Sequence, residues 1–147
     1  MRKYKLSELE ITLGKPKIHL LIFIIYETKC LPGFFNFSKA ESFFNVGRTA
    51  ISTNINKIHK VQIDGKTNLF DKERLYRSKK EKVKLKENGE IYLRFNYEPE
   101  ALFQLCDDYI KTSELLLKEP WCPRNCKQKL SRIIEFYNSK TIIKELS

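Results

Sequence analysis

No apolar run in this chain is long enough to cross a bilayer. The strongest, Ile18-His19-Leu20-Leu21-Ile22-Phe23-Ile24-Ile25-Tyr26, has nine residues, against the ~20 that a spanning helix needs. It begins too far from the N-terminus, and has no small-residue cleavage site after it, to act as a secretory signal. A buried helix is the expectation, with no membrane partner and a cytoplasmic location. Enzyme signatures are missing as well: there is no Gly-rich phosphate loop, no paired His on a helix and no nucleophile with an evident base. Asp107-Asp108 has the look of a paired acid, but neighbours on a helix point about 100° apart. A solvated face is expected there, and no catalytic residue is assigned. There is no internal repeat and no low-complexity linker.

Cysteine is sparse. Cys30, Cys106, Cys122 and Cys126 are the four, and a chain of this size with many apolar residues does not need disulfides, so reduced thiols are expected. Cys122-Pro123-Arg124-Asn125-Cys126 has one residue too many between its thiols for a redox pair, and zinc would require four ligands. The other donors, Cys30, Cys106, His19 and His59, are not paired at a knuckle spacing. The segment reads as a turn between helices with incidental cysteines, Trp121 beside it reads as a packing residue, and neither metal nor cofactor is expected.

Positive charge is abundant. Lys and Arg number 28 against 18 Asp and Glu, a formal net charge of +10 with a pI near 9.4. Such a balance calls for a polyanionic partner, with nucleic acid first and an anionic membrane surface second. The chain is 41% apolar and 12% aromatic over 147 residues, enough for a packed core of about one domain with a small extension.

Along the chain, Pro16 suits the first turn of a helix running to about Lys29, ahead of Pro32-Gly33. That helix is apolar on nearly every side and is expected at the centre of the domain. Ser38 reads as an N-cap with Glu41 closing a capping box, opening a short helix over Lys39–Asn45 whose inward face is Ala40, Phe43 and Phe44. Gly47 suits a tight turn. A further helix follows from Arg48 to about Lys60, with Ile51, Ile55 and Ile58 forming one stripe. Its other face holds Arg48, Thr49, Ser52, Thr53, Asn54, Asn56 and Lys57. An ordinary solvated helix favours Glu–Lys pairs, whereas Thr, Ser and Asn lower helix propensity. Their accumulation points to a surface that reads something.

Beyond His59 the pattern becomes extended: Asp64-Gly65 is a turn, Leu69-Phe70 a buried pair, and Arg74–Lys86 a basic stretch. Val83 and Leu85 alternate there with lysines, as on a β-hairpin with one face on the core, and Asn88-Gly89 ends the strand. Between Lys57 and Lys86 eleven Lys/Arg face four Asp/Glu, so +7 of the chain's +10 lies in a fifth of its length. The C-terminal third reads as two amphipathic helices. One runs from Pro99 to Pro120, presenting Leu102, Leu105, Cys106, Tyr109, Ile110 and Leu115–Leu117. The other runs from about Lys127 to Leu146 through Leu130, Ile133, Ile134, Tyr137 and Ile143.

Three helices, a Gly turn between the second and third, and then a basic hairpin follow the order of a winged helix-turn-helix. A helix fits the major groove, where short polar side chains reach base edges, and a basic hairpin reaches phosphates or the minor groove. The residues Ser38-Lys39-Ala40-Glu41, Val46, Ala50-Ile51-Ser52, Ile55, Ile58-His59, Gly65, Leu69-Phe70 and Val83-Lys84-Leu85-Lys86-Glu87-Asn88-Gly89-Glu90 follow one another in a known order. Over roughly residues 16–95 the chain resembles the DNA-binding domain of LysR-type regulators and the similar domain of molybdate-responsive regulators. The loop after the first helix and the hairpin between Phe70 and Val83 are longer than in that family, and Lys86 stands where a Thr is usual. The effector-binding domain of LysR-type proteins does not follow, so small-molecule sensing of that kind is not implied. DNA binding through the turn and third helix is implied, as is dimerisation through helices after the wing.

The expectation is therefore a mainly α protein. Residues 1–95 form a winged helix-turn-helix with a small β-hairpin wing, and residues 96–147 form two C-terminal helices for dimerisation. Its expected function is that of a sequence-specific transcriptional regulator of double-stranded DNA, associated with the nucleoid. It would act as a homodimer through residues 98–146 that prefers an inverted repeat. Expected contacts are Ser38, Arg48, Thr49, Ser52, Thr53, Asn56, Lys57 and Lys60, with Arg74, Arg77, Lys79, Lys80 and Lys82 on the wing. Alternatives are an accessory protein at a replication or transfer origin of a mobile element, or a winged-helix protein–protein module with a second protein subunit.

Overall fold

The computed structural model describes residues 14–73 and 90–146. In chain order the elements are α1 (Lys15–Thr28), β1 (Gly33–Asn36), α2 (Phe37–Phe44), α3 (Arg48–Ile58), β2 (Phe70–Glu73), β3 (Glu90–Phe95), α4 (Pro99–Leu117) and α5 (Arg124–Leu146). The protein is mainly helical with a small three-stranded antiparallel sheet, in the order β1-β3-β2. The chain forms two compact units. One combines the residues up to Tyr26 with those from Glu100 onward, and the other is Glu27–Pro99. This division follows different lines from a cut between residues 95 and 96, because most of α1 clusters with the C-terminal helices.

In the helical unit, every residue from Ile18 to Tyr26 is buried, as a helix apolar on all sides requires. Phe23 stacks on Phe136 of α5 with ring centroids 4.9 Å apart. The α4 stripe Leu102, Leu105, Cys106, Tyr109, Ile110 and Ser113 is buried, as are Leu130, Ile133 and Ile134 of α5. Polar groups are tied in pairs: His19 Nε2 and the Tyr109 hydroxyl are 2.9 Å apart. Asp107 is half-buried and does not lie on a solvated face: its Oδ1 accepts hydrogen bonds from Tyr26 at 3.2 Å and Tyr137 at 2.6 Å, linking α1, α4 and α5. Its neighbour Asp108 faces Gln104 one turn earlier, so the two carboxylates have separate partners. Two expectations fail at the far end of α4. Leu115, in the last turn of α4, is 66% exposed, and Trp121, in the turn that follows the helix, is 68% exposed. All four cysteines are free thiols.

The sheet-bearing unit begins where α1 stops, with Lys29 (φ 55°) and Cys30 (φ 61°) both left-handed. Burial pushes the Cys30 thiol up to about 12. β1 was not expected from the sequence. Its register is Gly33↔Leu93, Phe34↔Tyr92, Phe35↔Ile91 and Asn36↔Glu90. Phe35 and Ile91 are buried on one face, while Phe34 and Tyr92 meet edge to face at 5.4 Å on the other. β2 flanks β3 on its other side, with Phe70 opposite Phe95 and Asp71 opposite Arg94.

Asn36, not Ser38, caps α2. Its backbone is extended (φ −90°, ψ 121°), and its Oδ1 accepts from the Ser38 N–H at 2.7 Å. Asn is among the strongest N-caps and stands at the end of β1, so the helix starts two residues earlier and Ser38 falls in its first turn. The Glu41 carboxylate closes no capping box and instead lies 3.5 Å from Arg48 Nε. Ala40 and Phe37 are buried, whereas Phe43 and Phe44 are half-buried against each other at 4.8 Å.

The turn into α3 is also built differently from expectation. Asn45 is the left-handed residue (φ 53°, ψ 50°), and its N–H donates to the Glu41 carbonyl. Gly47 is extended (φ −81°, ψ 167°) and serves as the N-cap of α3. Asn tolerates the left-handed region, which frees Gly47 from that duty. The expected strand around Val83 and Leu85, and its end at Asn88-Gly89, lie outside the described residues. β3 follows at Glu90, with Ile91 and Leu93 buried.

Candidate nucleic-acid interface

α3 buries one stripe, Ile51, Ile55 and Ile58, at 1%, 1% and 0% exposure. At 100° per residue these three lie within about 60° of one another on the helix surface. Ser52, Asn56, Thr49, Thr53 and Lys57, in that angular order, occupy an arc of about 140° centred roughly opposite the stripe. Thr49, Thr53, Asn56 and Lys57 are exposed and Ser52 is half-buried. The apolar periodicity thus fixes which side chains face outward. α2 packs against α3 and holds that arc in place.

Arg48 belongs to the margin of this face. It lies about 100° from Thr49 on the side nearer Ile55, and its guanidinium pairs with Glu41 of α2. Lys60 is exposed and follows the end of α3, and Ser38 is exposed on α2. Lys57, in the last turn, sits where the helix dipole favours a cation. The structure therefore brings together five of the expected side chains on one helical face, with Arg48 and Lys60 at its edges. Arg74, Arg77, Lys79, Lys80 and Lys82 lie outside the described residues.

His59 follows α3 directly and rests 6.1 Å from the Phe70 ring. Desolvation holds its imidazole below the ordinary value, and the charges of Lys72 and Lys60 push in the same direction. The connection to β2 is tightly organised. The Asp64 carboxylate accepts the N–H groups of Thr67 and Lys66 at 2.8 Å each, and these bonds bring its pKa down to about 2. Gly65 is left-handed (φ 78°), as the turn requires. The Tyr97 hydroxyl lies 2.9 Å from Asp64 Oδ1 and accepts from the Ile63 N–H at 3.2 Å. Tyr97 thus fixes a loop that starts at the end of α3 and leads into β2. The Asp64-Gly65 signal was legible, but the anchor thirty-three residues away was not.

A cavity of about 190 Å³ lies beside Glu27, Leu31, Phe34 and Lys39, below the ~300 Å³ at which small-molecule sites usually begin. Among the described residues no group of three His, Cys, Asp or Glu is placed to hold a metal ion, and no helix is long and apolar enough to cross a membrane. No protein-family model, curated protein or solved structure matches the chain.

Proposed function

We propose that this chain binds double-stranded DNA through its Glu27–Pro99 unit, in the manner of a winged helix-turn-helix. α3 enters the major groove, and the basic segment between β2 and β3 contacts the backbone or minor groove. The observation that carries this reading is the outward arc of α3. Thr49, Ser52, Thr53, Asn56 and Lys57 crowd a helix face that contains no Glu–Lys pair, opposite a fully buried Ile stripe. A face kept only for solubility would favour good helix formers. The element order β1-α2-α3-β2-β3, with α1 ahead of it, supports the same reading. So does the charge of residues 74–89, seven Lys/Arg against two Asp/Glu.

In this reading Lys57, Lys60, Arg74, Arg77, Lys79, Lys80 and Lys82 neutralise phosphates, Ser38 and Arg48 approach the backbone at the margins, and the centre of α3 reads bases. The biological role that fits is a transcriptional regulator working as a homodimer through residues 98–146. The test is binding of labelled duplex DNA across a salt series. Each phosphate neutralised contributes about 0.9 to the slope of log affinity against log salt. Thr53→Glu is expected to abolish binding while leaving the circular dichroism spectrum unchanged. If the wild-type protein shows no salt-sensitive retention of duplex, the DNA reading fails and protein partners become the target of the search.

A further inference from the structure

The middle of the outward arc of α3, formed by Asn56, Thr49 and Thr53, carries no Arg or Lys. In the major groove guanine offers two acceptors, N7 and O6, which Arg or Lys engages, while adenine offers one acceptor and one donor, which Asn or Gln matches in a bidentate pair. Thymine adds a methyl group that the Thr methyl covers. Asn56 and Thr49 stand at the middle of the arc, two turns apart, with Thr53 and Ser52 between them. Over seven residues the axis rises about 10.5 Å, the length of about three base pairs. Arg48 is the arginine of α3, and it is displaced toward the buried side and paired with Glu41 at 3.5 Å. Lys57 lies at one edge of the arc and Lys60 beyond the helix end, both suited to phosphates.

Resting on the reading of α3 as the major-groove helix, we infer that its target half-site has an A·T core of about three base pairs. Asn56 pairs with an adenine through N6 and N7, and the Thr49 and Thr53 methyl groups pack against thymine methyls. The short Ser and Thr side chains let the helix backbone approach closely enough for Asn56 to reach the base edge. Specificity then arises from one bidentate amide and two methyl contacts, without an arginine–guanine pair.

The experiment is selection from a random duplex pool with the wild-type chain, Asn56→Ala and Asn56→Arg, sequencing what stays bound. The wild type is expected to enrich consecutive A·T pairs. Asn56→Ala is expected to lose preference at one of those positions, by about 5- to 150-fold, while preference at the neighbouring positions persists. Asn56→Arg is expected to shift that position toward guanine. An enriched motif whose core is G·C, or an A·T motif that Asn56→Ala leaves unchanged, overturns the inference and leaves DNA binding standing. Salt-sensitive retention without any enrichment overturns it in the same way. Failure of the wild type to retain any duplex defeats the parent reading itself.

Discussion

At the scale of single residues, the informative side chains are those whose partners come from distant parts of the sequence. Asp107 accepts from Tyr26 and Tyr137, eighty-one and thirty residues away. Asp107→Ala would leave two half- or fully buried hydroxyls without their acceptor. The expected cost is about 1–3 kcal/mol, read as a fall in the urea midpoint with unchanged m-value. The adjacent Asp108→Ala should stay within about 0.5 kcal/mol of wild type. His59 yields a pH prediction. Its folded-state pKa lies below the unfolded value because burial disfavours the imidazolium. Between the folded pKa and about 6.5 the unfolded chain binds more protons. Stability should therefore fall as pH drops through and below 6.5, and His59→Gln should flatten that slope in denaturation series at pH 7.5 and 5.5. None of these environments is readable from neighbours in sequence, since the adjacent Asp107 and Asp108 are both half-buried yet bond to different partners, two tyrosines from other helices for one and Gln104 of the same helix for the other.

At the scale of elements, periodicity was enough for the helices and insufficient for their ends. The Ile51, Ile55 and Ile58 spacing located α3 and its outward face correctly. The polar residues around the turns offered several plausible caps, and the choice between Asn36 and Ser38 depended on where β1 ended. β1 itself was hidden in Gly33-Phe34-Phe35-Asn36, too short to display alternation; only pairing with β3 sorts Phe35 inward and Phe34 outward. β3 is legible in principle, since Ile91 and Leu93 alternate with Tyr92 and Arg94, but Asn88-Gly89 reads equally as the end of a strand that precedes it. Gly47 gives the element-level test. An added Cβ there meets nothing within 4 Å, and φ is −81°. Gly47→Ser should therefore stabilise the fold by about 0.4–1 kcal/mol, through a better N-cap and a less flexible unfolded chain. A tight turn that required glycine would show a loss of similar size in the thermal midpoint instead.

At the scale of the molecule, the chain organises into two units whose boundaries cross the first helix, and each has its own polar ties. Leu115 and Trp121 are large apolar groups left exposed on the helical unit, and they are the natural candidates for the proposed homodimer contact. Sedimentation of the wild-type chain is expected to show a concentration-dependent dimer. Leu115→Glu with Trp121→Ser is expected to convert it to a monomer with an unchanged helical signal. A dimer that survives both changes would place the contact elsewhere on residues 98–146, and a monomeric wild type would remove the inverted-repeat expectation.

Composition and local pattern by themselves determined the helix-rich class, the buried first helix, the direction of α3's polar face and the basic segment that follows it. Each of these follows from charge counting or from a 3.6-residue period, which act over one or two turns of chain. Tertiary structure alone decided that β1 joins the sheet, that Asn45 rather than Gly47 takes the left-handed turn, that Glu41 pairs with Arg48, and that Asp107 links three helices. Those outcomes depend on which segments meet across tens of residues, where burial and hydrogen-bond satisfaction outweigh the weak local preferences that a sequence displays.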